Sequence, residues 1–172
     1  LRALTCAFAL QTAMTAFKSV RLPNGETISL SIKVALASGR ACRCLVGDPN
    51  ILLMDVLAGE TLVRMEEAAQ HTVKGEIVMD LTTAELVSDA CTIAEWRAAE
   101  TTRFARVTEL RRAAAPCAWS PLDARALPAD QLRSWVMPAL ANRDDSLTEL
   151  RPAVAFFLAF SGINYDTDPE AE

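Results

Sequence analysis

The segment from Ile28 to Leu36 alternates strictly between apolar residues and small or polar ones. Its apolar members are Ile28, Leu30, Ile32, Val34 and Leu36. A period of two is typical of a β-strand that buries one face, so the segment predicts a half-buried strand. The preceding stretch Leu1–Phe17 is rich in alanine, holds no Gly or Pro and carries apolar residues at helical spacing. We therefore predict a helix that packs on the sheet.

Two more strands are predicted directly after this one. The turn at Ser38-Gly39 leads into Ala41–Val46, which we expect to pair with the first strand as a hairpin. A second turn, Gly47-Asp48-Pro49-Asn50, precedes a third strand at Ile51–Leu57.

Helical spacing returns after Gly59. Leu62, Met65, Ala69 and Val73 predict a helix with Thr61 as its N-cap and Gly75 as its end. A short strand (Glu76–Met79), a short helix (Thr82–Val87) and an extended stretch (Thr101–Leu110) follow. The predicted fold is therefore α+β, with helices packed on one face of a mainly antiparallel sheet.

The last third of the chain changes character. Prolines make 111–128 a connector, Asp130 is expected to cap a short helix, and the apolar run Leu147–Phe160 predicts a buried strand that runs on into Ser161-Gly162-Ile163. We predict a domain at 1–110, a linker at 111–149 and the start of a second domain at 150–172. Because Leu1 already lies in a helical pattern and a domain begins near the end, we expect a fragment of a longer protein.

Composition excludes several classes of function. The chain has 172 residues, is 51% hydrophobic and has a formal net charge of −5, which disfavours a nucleic-acid surface. It has five cysteines and a single histidine, which suits buried, reduced thiols in a cytoplasmic protein. Cys42 and Cys44 share one strand face, but nothing completes a zinc site, and no apolar run is long enough to cross a membrane.

Four segments in order carry a family resemblance: Ile32–Gly39, Val46–Asp48, Val56–Leu62 and Lys74–Val78. Their order and spacing resemble the C-terminal half of a class III adenylyl or guanylyl cyclase domain. The closest likeness is to tandem-domain soluble adenylyl cyclases of the bicarbonate-responsive type and their bacterial relatives. The segments at 132–142 and 147–152 of this chain resemble the linker that joins the two cyclase domains of those proteins. The segment at 153–163 resembles the first strand of their second domain.

The resemblance implies an incomplete ferredoxin-like cyclase fold and a parent protein that converts ATP to 3',5'-cyclic AMP and pyrophosphate. Such enzymes use two metal ions, Mg²⁺ or Mn²⁺, held by two aspartates that would lie upstream of Leu1. In the second domain, the position that matches a metal-binding aspartate holds Ala159, between Leu158 and Phe160. An alanine cannot bind a metal ion, so no metal site is expected within this chain.

The helix after Gly59 would normally supply an Asn and, four residues later, an Arg to the nucleotide. The matching positions here are Val63 and Glu67. Valine offers no hydrogen bond and glutamate has the wrong charge for a triphosphate, so the resemblance implies a degenerate half-site. Arg64 lies one residue along and could point toward a domain interface, or it could be a solvated arginine paired with Glu60 or Glu67.

The residue that selects the base lies just before Gly59 in this family. Counting without gaps favours Val56, while a shift of one residue would bring in Asp55. Lys33 could serve an anion near the interface or could be a solvated strand lysine. These positions, with Arg64, are the candidates for a nucleotide or anion site.

Two hypotheses from different classes follow. In the first, the chain is part of a soluble adenylyl cyclase-like protein and contributes a non-catalytic half-site. In the second, it is a cyclase-shaped regulatory or dimerisation module without catalysis. Partners would be ATP for the parent, a second cyclase-homology domain, and a second copy of the fragment as a homo-oligomer or swapped dimer, because open sheet edges call for cover.

Overall fold

The computed structural model describes residues 1–98, 102–121, 123, 127–136 and 162–168. The chain divides into two compact units, one made of Leu1–Ala41 with Gly59–Ala118 and one made of Cys42–Ala58 with Trp119–Glu172. The elements in chain order are α1 (Arg2–Ala13), a 3-10 turn (Met14–Phe17), β1 (Val20–Arg21), β2 (Thr27–Ile28), β3 (Val34–Leu36), β4 (Cys42–Asp48), β5 (Leu52–Ala58), α2 (Glu60–Gln70), β6 (Ile77–Asp80), α3 (Leu81–Leu86), β7 (Cys91–Ala98), β8 (Arg103–Leu110) and α4 (Ala129–Arg133).

The first unit is built on a four-stranded sheet in the order β3-β6-β8-β7. β3 and β6 run parallel, with Leu36 opposite Met79, whereas β6–β8 and β8–β7 are antiparallel. Parallel neighbours need a crossover connection, and α2 packs on both β3 and β6. The predicted α+β class and mainly antiparallel sheet are confirmed.

Both faces of this sheet are covered by helices. Ile77 and Met79 of β6 pack with Leu4 of α1 and Ala84 of α3 on one face. The residue between them, Val78, packs with Ala68 of α2 and Phe104 on the other, as the strand alternation requires. The prediction of helices on one face is therefore wrong. A central strand whose four residues are all buried cannot reveal by its pattern which side each helix covers.

The predicted continuous strand from Ile28 to Leu36 is also wrong. Only its two ends form strands, as β2 and β3, and Leu30 is 43% exposed. Between them the backbone has other partners: the Leu30 N–H donates to the Phe17 carbonyl, and the Ile32 carbonyl accepts from the Gly75 N–H and the Gln11 side chain. β2 instead pairs antiparallel with β1 around the turn at 23–25.

The predicted hairpin between this strand and Ala41–Val46 does not form. β4 pairs antiparallel with β5 along its whole length, from Cys42 opposite Ala58 to Asp48 opposite Leu52. β3 is hydrogen-bonded to β6 instead. The third strand is confirmed, as are the short strand, the short helix and the extended stretch at the end of the first predicted domain. β7 was not predicted, because bulges near Thr92 and Ile93 interrupt its alternation.

Three helix ends differ from the prediction. The N-cap of α2 is Gly59, with a φ of 117°, and the helix ends at Gln70, well before Gly75. Thr61 lies inside the first turn and donates its hydroxyl to the Arg40 carbonyl, 2.5 Å away. The N-cap of α4 is Pro128, so Asp130 lies within that helix.

The second unit contains the two-stranded ribbon of β4 and β5 together with α4. The Leu53 N–H donates to the Ser134 carbonyl at 2.6 Å and ties the ribbon to the end of that helix. Ala159 and the body of the predicted final strand lie outside the described residues, while Gly162 and Ile163 are described and belong to neither helix nor strand. In the described part of the chain, no helix is long and apolar enough to span a membrane.

All five cysteines are free thiols. The prediction of buried thiols holds for Cys91, where burial raises the pKa of the thiol. Cys6 and Cys117 are exposed, and Cys42 and Cys44 are half-buried.

Candidate functional site

The helix α2 carries three of the positions singled out in the sequence. It begins at Gly59, which adopts a positive φ that favours glycine, and so starts directly after β5 without a linker. Val63, Arg64 and Glu67 follow within its first two turns. Their different surroundings decide which of them can act on a ligand.

Arg64 is held by several partners in the protein. Nη1 donates to Thr82 Oγ1 at 2.8 Å, and Nη2 donates to the Ser38 carbonyl at 3.1 Å and to Thr61 Oγ1 at 3.3 Å. Nη1 also lies 2.9 Å from Asp80 Oδ2. Arg64 is therefore neither paired with Glu60 or Glu67 nor a solvated arginine, and that prediction is wrong. The guanidinium binds α2 to the Ser38-Gly39 turn and to the junction of β6 and α3.

Asp80 is the residue that the sequence analysis missed. Its side chain is 3% exposed, and Oδ1 accepts the Thr83 N–H at 2.9 Å as the N-cap of α3. Oδ2 lies within ion-pair distance of Arg64 Nη1, but it makes no hydrogen bond, and neither does Arg64 Nε. Arg64 and Asp80 therefore form an ion pair by distance, but Asp80 Oδ2 accepts no hydrogen bond from the guanidinium. The signal that could have found Asp80 is an aspartate directly before a short helical pattern.

A small pocket of about 160 Å³ lies beside this pair. It is lined by Arg64, Glu67 and Asp80, by the hydroxyl residues Thr82 and Thr102, and by Leu81, Arg103 and Phe104. The Arg103 guanidinium also lies over the Trp96 ring, 4.5 Å from its centre. Two carboxylates and two guanidiniums share the pocket, so it has no excess of positive charge for a phosphate.

Val63 and Glu67 provide no phosphate-binding groups. Val63 is 54% exposed on α2, and an exposed isopropyl group offers only apolar contact. Glu67 lines the pocket together with Arg64. The positions that match the family's Asn and Arg therefore hold an apolar and an acidic side chain on a well-formed helix. The degenerate character of the half-site remains a prediction.

Asp55 and Val56 lie on the ribbon, in the second unit. Arg43 Nε donates to Asp55 Oδ1 at 2.8 Å, and Arg43 Nη2 donates to Oδ2 at 2.6 Å. These hydrogen bonds lower the pKa of Asp55, with the charge of Arg43 acting in the same direction. Val56 lies on the other face of the ribbon from Asp55 and is paired with Cys44. Its carbonyl accepts a weak hydrogen bond from Cys44 Sγ. Strand alternation thus separates the two candidates, as expected.

Lys33 precedes β3 and is not a strand residue. Its Nζ donates to the Ala69 carbonyl at 2.7 Å, near the end of α2. A cation at a helix C-terminus satisfies carbonyls without helical partners and interacts favourably with the helix dipole. This contact gives Lys33 a structural role in the first unit, while the residue remains exposed, as predicted for a solvated lysine.

The described residues contain no group of three or more His, Cys, Asp or Glu side chains that could hold a metal ion. The residues present therefore do not fit the two-metal centre of a nucleotidyl cyclase, and we derive no chemical step through such a centre in this chain.

No protein-family model matches the chain, and no curated protein matches it either. Two solved structures are similar to it, both of them guanylyl cyclase domains. One is the dimeric guanylyl cyclase domain of the RhoGC fusion protein from the aquatic fungus Blastocladiella emersonii, with 20% identity over 62% of this chain and 56% of that chain, and a TM-score of 0.48. The other is the guanylate cyclase domain of RhGC from Catenaria anguillulae in complex with GTP, with 19% identity over 61% and 58% of the two chains and the same TM-score of 0.48.

This chain spans less than two thirds of either cyclase domain.

Proposed function

We propose that this chain is part of a soluble class III adenylyl cyclase-like protein and contributes a non-catalytic half-site in an incomplete ferredoxin-like domain. The observation that carries the proposal is the helix after Gly59. It has the place in the chain that the family uses for its nucleotide-binding Asn and Arg, yet it carries exposed Val63 and acidic Glu67. Arg64, on the same helix, is held within the protein by Ser38, Thr82 and Asp80.

In this proposal the reaction belongs to the parent protein. ATP, and Mg²⁺ or Mn²⁺ held by two aspartates, would bind to parts of the parent outside this sequence, and the Asn and Arg would come from the second domain. The domain boundaries at 110 and 149 belong to the same proposal. The chain itself would serve as a scaffold that pairs with the second cyclase-homology domain in the cytoplasm.

Exposed apolar side chains on the ribbon support a pairing role. Leu45, Met54 and Leu57 are each more than half exposed, and a two-stranded ribbon is only marginally stable without cover. The partner surface would be the second domain in the parent and a second copy in the isolated chain. Light scattering of the purified chain tests this, and a monodisperse monomer would contradict it.

The first test is enzymatic. The purified chain, incubated with manganese and ATP or GTP, should form no cyclic nucleotide, and cyclic AMP production would contradict a non-catalytic half-site. In the parent, Val63→Ala should leave cyclic AMP production unchanged, since the side chain is apolar and exposed. A large loss of activity in that variant would show that this half-site participates in catalysis.

The alternative is a regulatory or dimerisation module that has lost catalysis, favoured by the absence of suitable groups at Val63 and Glu67. The two are separated by the open reading frame on both sides of this sequence. Two metal-binding aspartates upstream, together with an Asn and an Arg four residues later downstream, would support the active parent. If both sets are absent, the regulatory module is correct.

A further inference from the structure

The ribbon of β4 and β5 has one face that is rich in sulfur. Its register places Cys42 opposite Ala58 and Cys44 opposite Val56, so the two cysteines lie on the same face, two residues apart. Arg43, between them, points to the other face, where it forms the ion pair with Asp55. This ion pair joins the two strands in the register that holds both thiols on one side.

The two thiols are free and have no charged neighbour directly across the ribbon. Both side chains are half-buried, and their cross-strand neighbours are an alanine and a valine, which offer no competing charge. The contact of Cys44 Sγ with the Val56 carbonyl, at 3.8 Å, is a weak hydrogen bond that an incoming ligand can replace.

Their spacing excludes a disulfide but suits a metal ion. Residues two apart on a strand have Cα atoms separated by about 6.7 Å, and their Cβ atoms are too far apart for the Cβ separation of about 3.8 Å that a disulfide requires. Two metal–sulfur bonds of about 2.3 Å span up to about 4.6 Å between the sulfurs. Different χ1 rotamers at the two cysteines bring their sulfurs to that separation, because each Sγ can rotate toward the other about its Cα–Cβ bond.

A third sulfur lies on the same face. Met54 is opposite Val46, the next residue pair along the ribbon, and is 51% exposed. It is therefore diagonal to Cys44, at a Cα separation of about 7–8 Å, within reach of a long side chain. Its unbranched thioether adapts readily to a ligand.

The chemistry of this set selects one class of metal. Thiolate and thioether ligands favour Cu(I), whereas Mg²⁺, Ca²⁺ and Mn²⁺ prefer oxygen. Zinc would need further ligands, and no group of three His, Cys, Asp or Glu residues occurs in the described part of the chain.

We propose that this face binds one Cu(I) ion through the thiolates of Cys42 and Cys44, with the Met54 thioether as a third ligand. Each thiol transfers its proton to solvent when its sulfur binds the metal, and the copper does not change oxidation state. The site is independent of any cyclase activity.

The test uses the whole 172-residue chain and Cu(I) under anaerobic conditions, with a colorimetric Cu(I) chelator as competitor. One equivalent should be withdrawn from the chelator, and X-ray absorption should show sulfur ligands at about 2.2–2.3 Å. Cys42→Ser and Cys44→Ser should each weaken binding by at least about tenfold, and Met54→Leu by less. Circular dichroism confirms that each variant is folded.

The exposed cysteines provide the matched control. A Cys6→Ser/Cys117→Ser variant should retain binding, because neither residue lies on the ribbon. The proposal is wrong if the chain does not compete with the chelator, if the control variant loses the ion, or if both ribbon variants keep it. Light scattering with and without Cu(I) should show the same mass. A dimer that forms only with the metal would contradict a site within one chain, because the ion would then be bound between two copies.

Discussion

Arg64 Nη1 lies 2.9 Å from Asp80 Oδ2, and the carboxylate is almost completely buried. The pair joins α2 to the start of α3, and the same guanidinium binds the Ser38 carbonyl. Burying a charged group without a partner is costly. Removing Arg64 should therefore destabilise the fold.

Arg64→Met should destabilise the protein by about 3 kcal/mol, at the lower end of the range for a broken buried pair, because Arg64 keeps some solvent contact. The buried Asp80 carboxylate would lose its countercharge. Urea unfolding measures the change. The matched control is Arg2→Met, an exposed arginine on α1, for which we expect almost no effect. Equal values for the two variants would show that the Arg64–Asp80 pair does not stabilise the fold.

Gly39 is required for contact with α2. A Cβ atom there would lie 2.3 Å from Thr61 Oγ1 and 2.7 Å from Arg64 Nη2. Gly39→Ala should therefore cost about 1–3 kcal/mol. Thr61→Ala removes the closest atom, so the double variant should be more stable than the sum of the two single changes predicts.

Gly75→Ala is the control for this rescue. That position has a φ of +87° and no atom within 4 Å of the added Cβ, so its cost comes from backbone strain alone. Thr61→Ala should not reduce it. Strict additivity at Gly39, measured by the same unfolding experiment, would contradict the steric explanation.

Glu76 should make the stability depend on pH in the acidic range. Two hydrogen bonds from Arg97, at 2.7 and 2.8 Å, are the largest cause that lowers the pKa of Glu76 from 4.5 to about 2, against the opposing effect of burial. The unfolded chain binds a proton at higher pH than the folded one. The contribution of Glu76 to stability is therefore fully present above about pH 5 and is lost as the pH falls toward 2.

Glu76→Gln should flatten this dependence, measured as the free energy of unfolding between pH 7 and pH 3. Glu66→Gln, at an exposed position on α2, is the control and should leave the slope unchanged. If the stability of Glu76→Gln changes with pH as steeply as that of the unsubstituted chain, other carboxylates account for the pH dependence.

Phe104 packs between the sheet and α2. It is 1% exposed, packs with Ala68 and Val78, and stacks on the His71 ring at 4.8 Å. Phe104→Ala should cost about 3–5 kcal/mol in thermal or urea unfolding. Trp119→Ala removes a larger ring that is 95% exposed and should change stability little. A small effect at Phe104 would mean that this second face contributes little to the core.

Local pattern was sufficient where an element's own residues decide its form. The predictable elements were the helices α1, α2 and α3, the strands β5, β6 and β8, and the turn after Gly47, because helical spacing, period-two spacing and turn residues are local. The same level of information placed Val63 and Glu67 on one helix, and Asp55 and Val56 on opposite faces of one strand.

The tertiary structure alone decided which strands pair and which charges meet. Nothing local in Val34–Leu36 distinguishes a hairpin with the next strand from a parallel pairing with Ile77–Met79, since that choice depends on hydrogen bonds between distant segments. Arg64 likewise had acidic neighbours at helical spacing, yet its countercharge is Asp80, brought near by the packing of α2 on β6. The sequence by itself determined the elements and the residue types at each position, and long-range packing determined their partners, because burial and ion pairing depend on segments far apart in the chain.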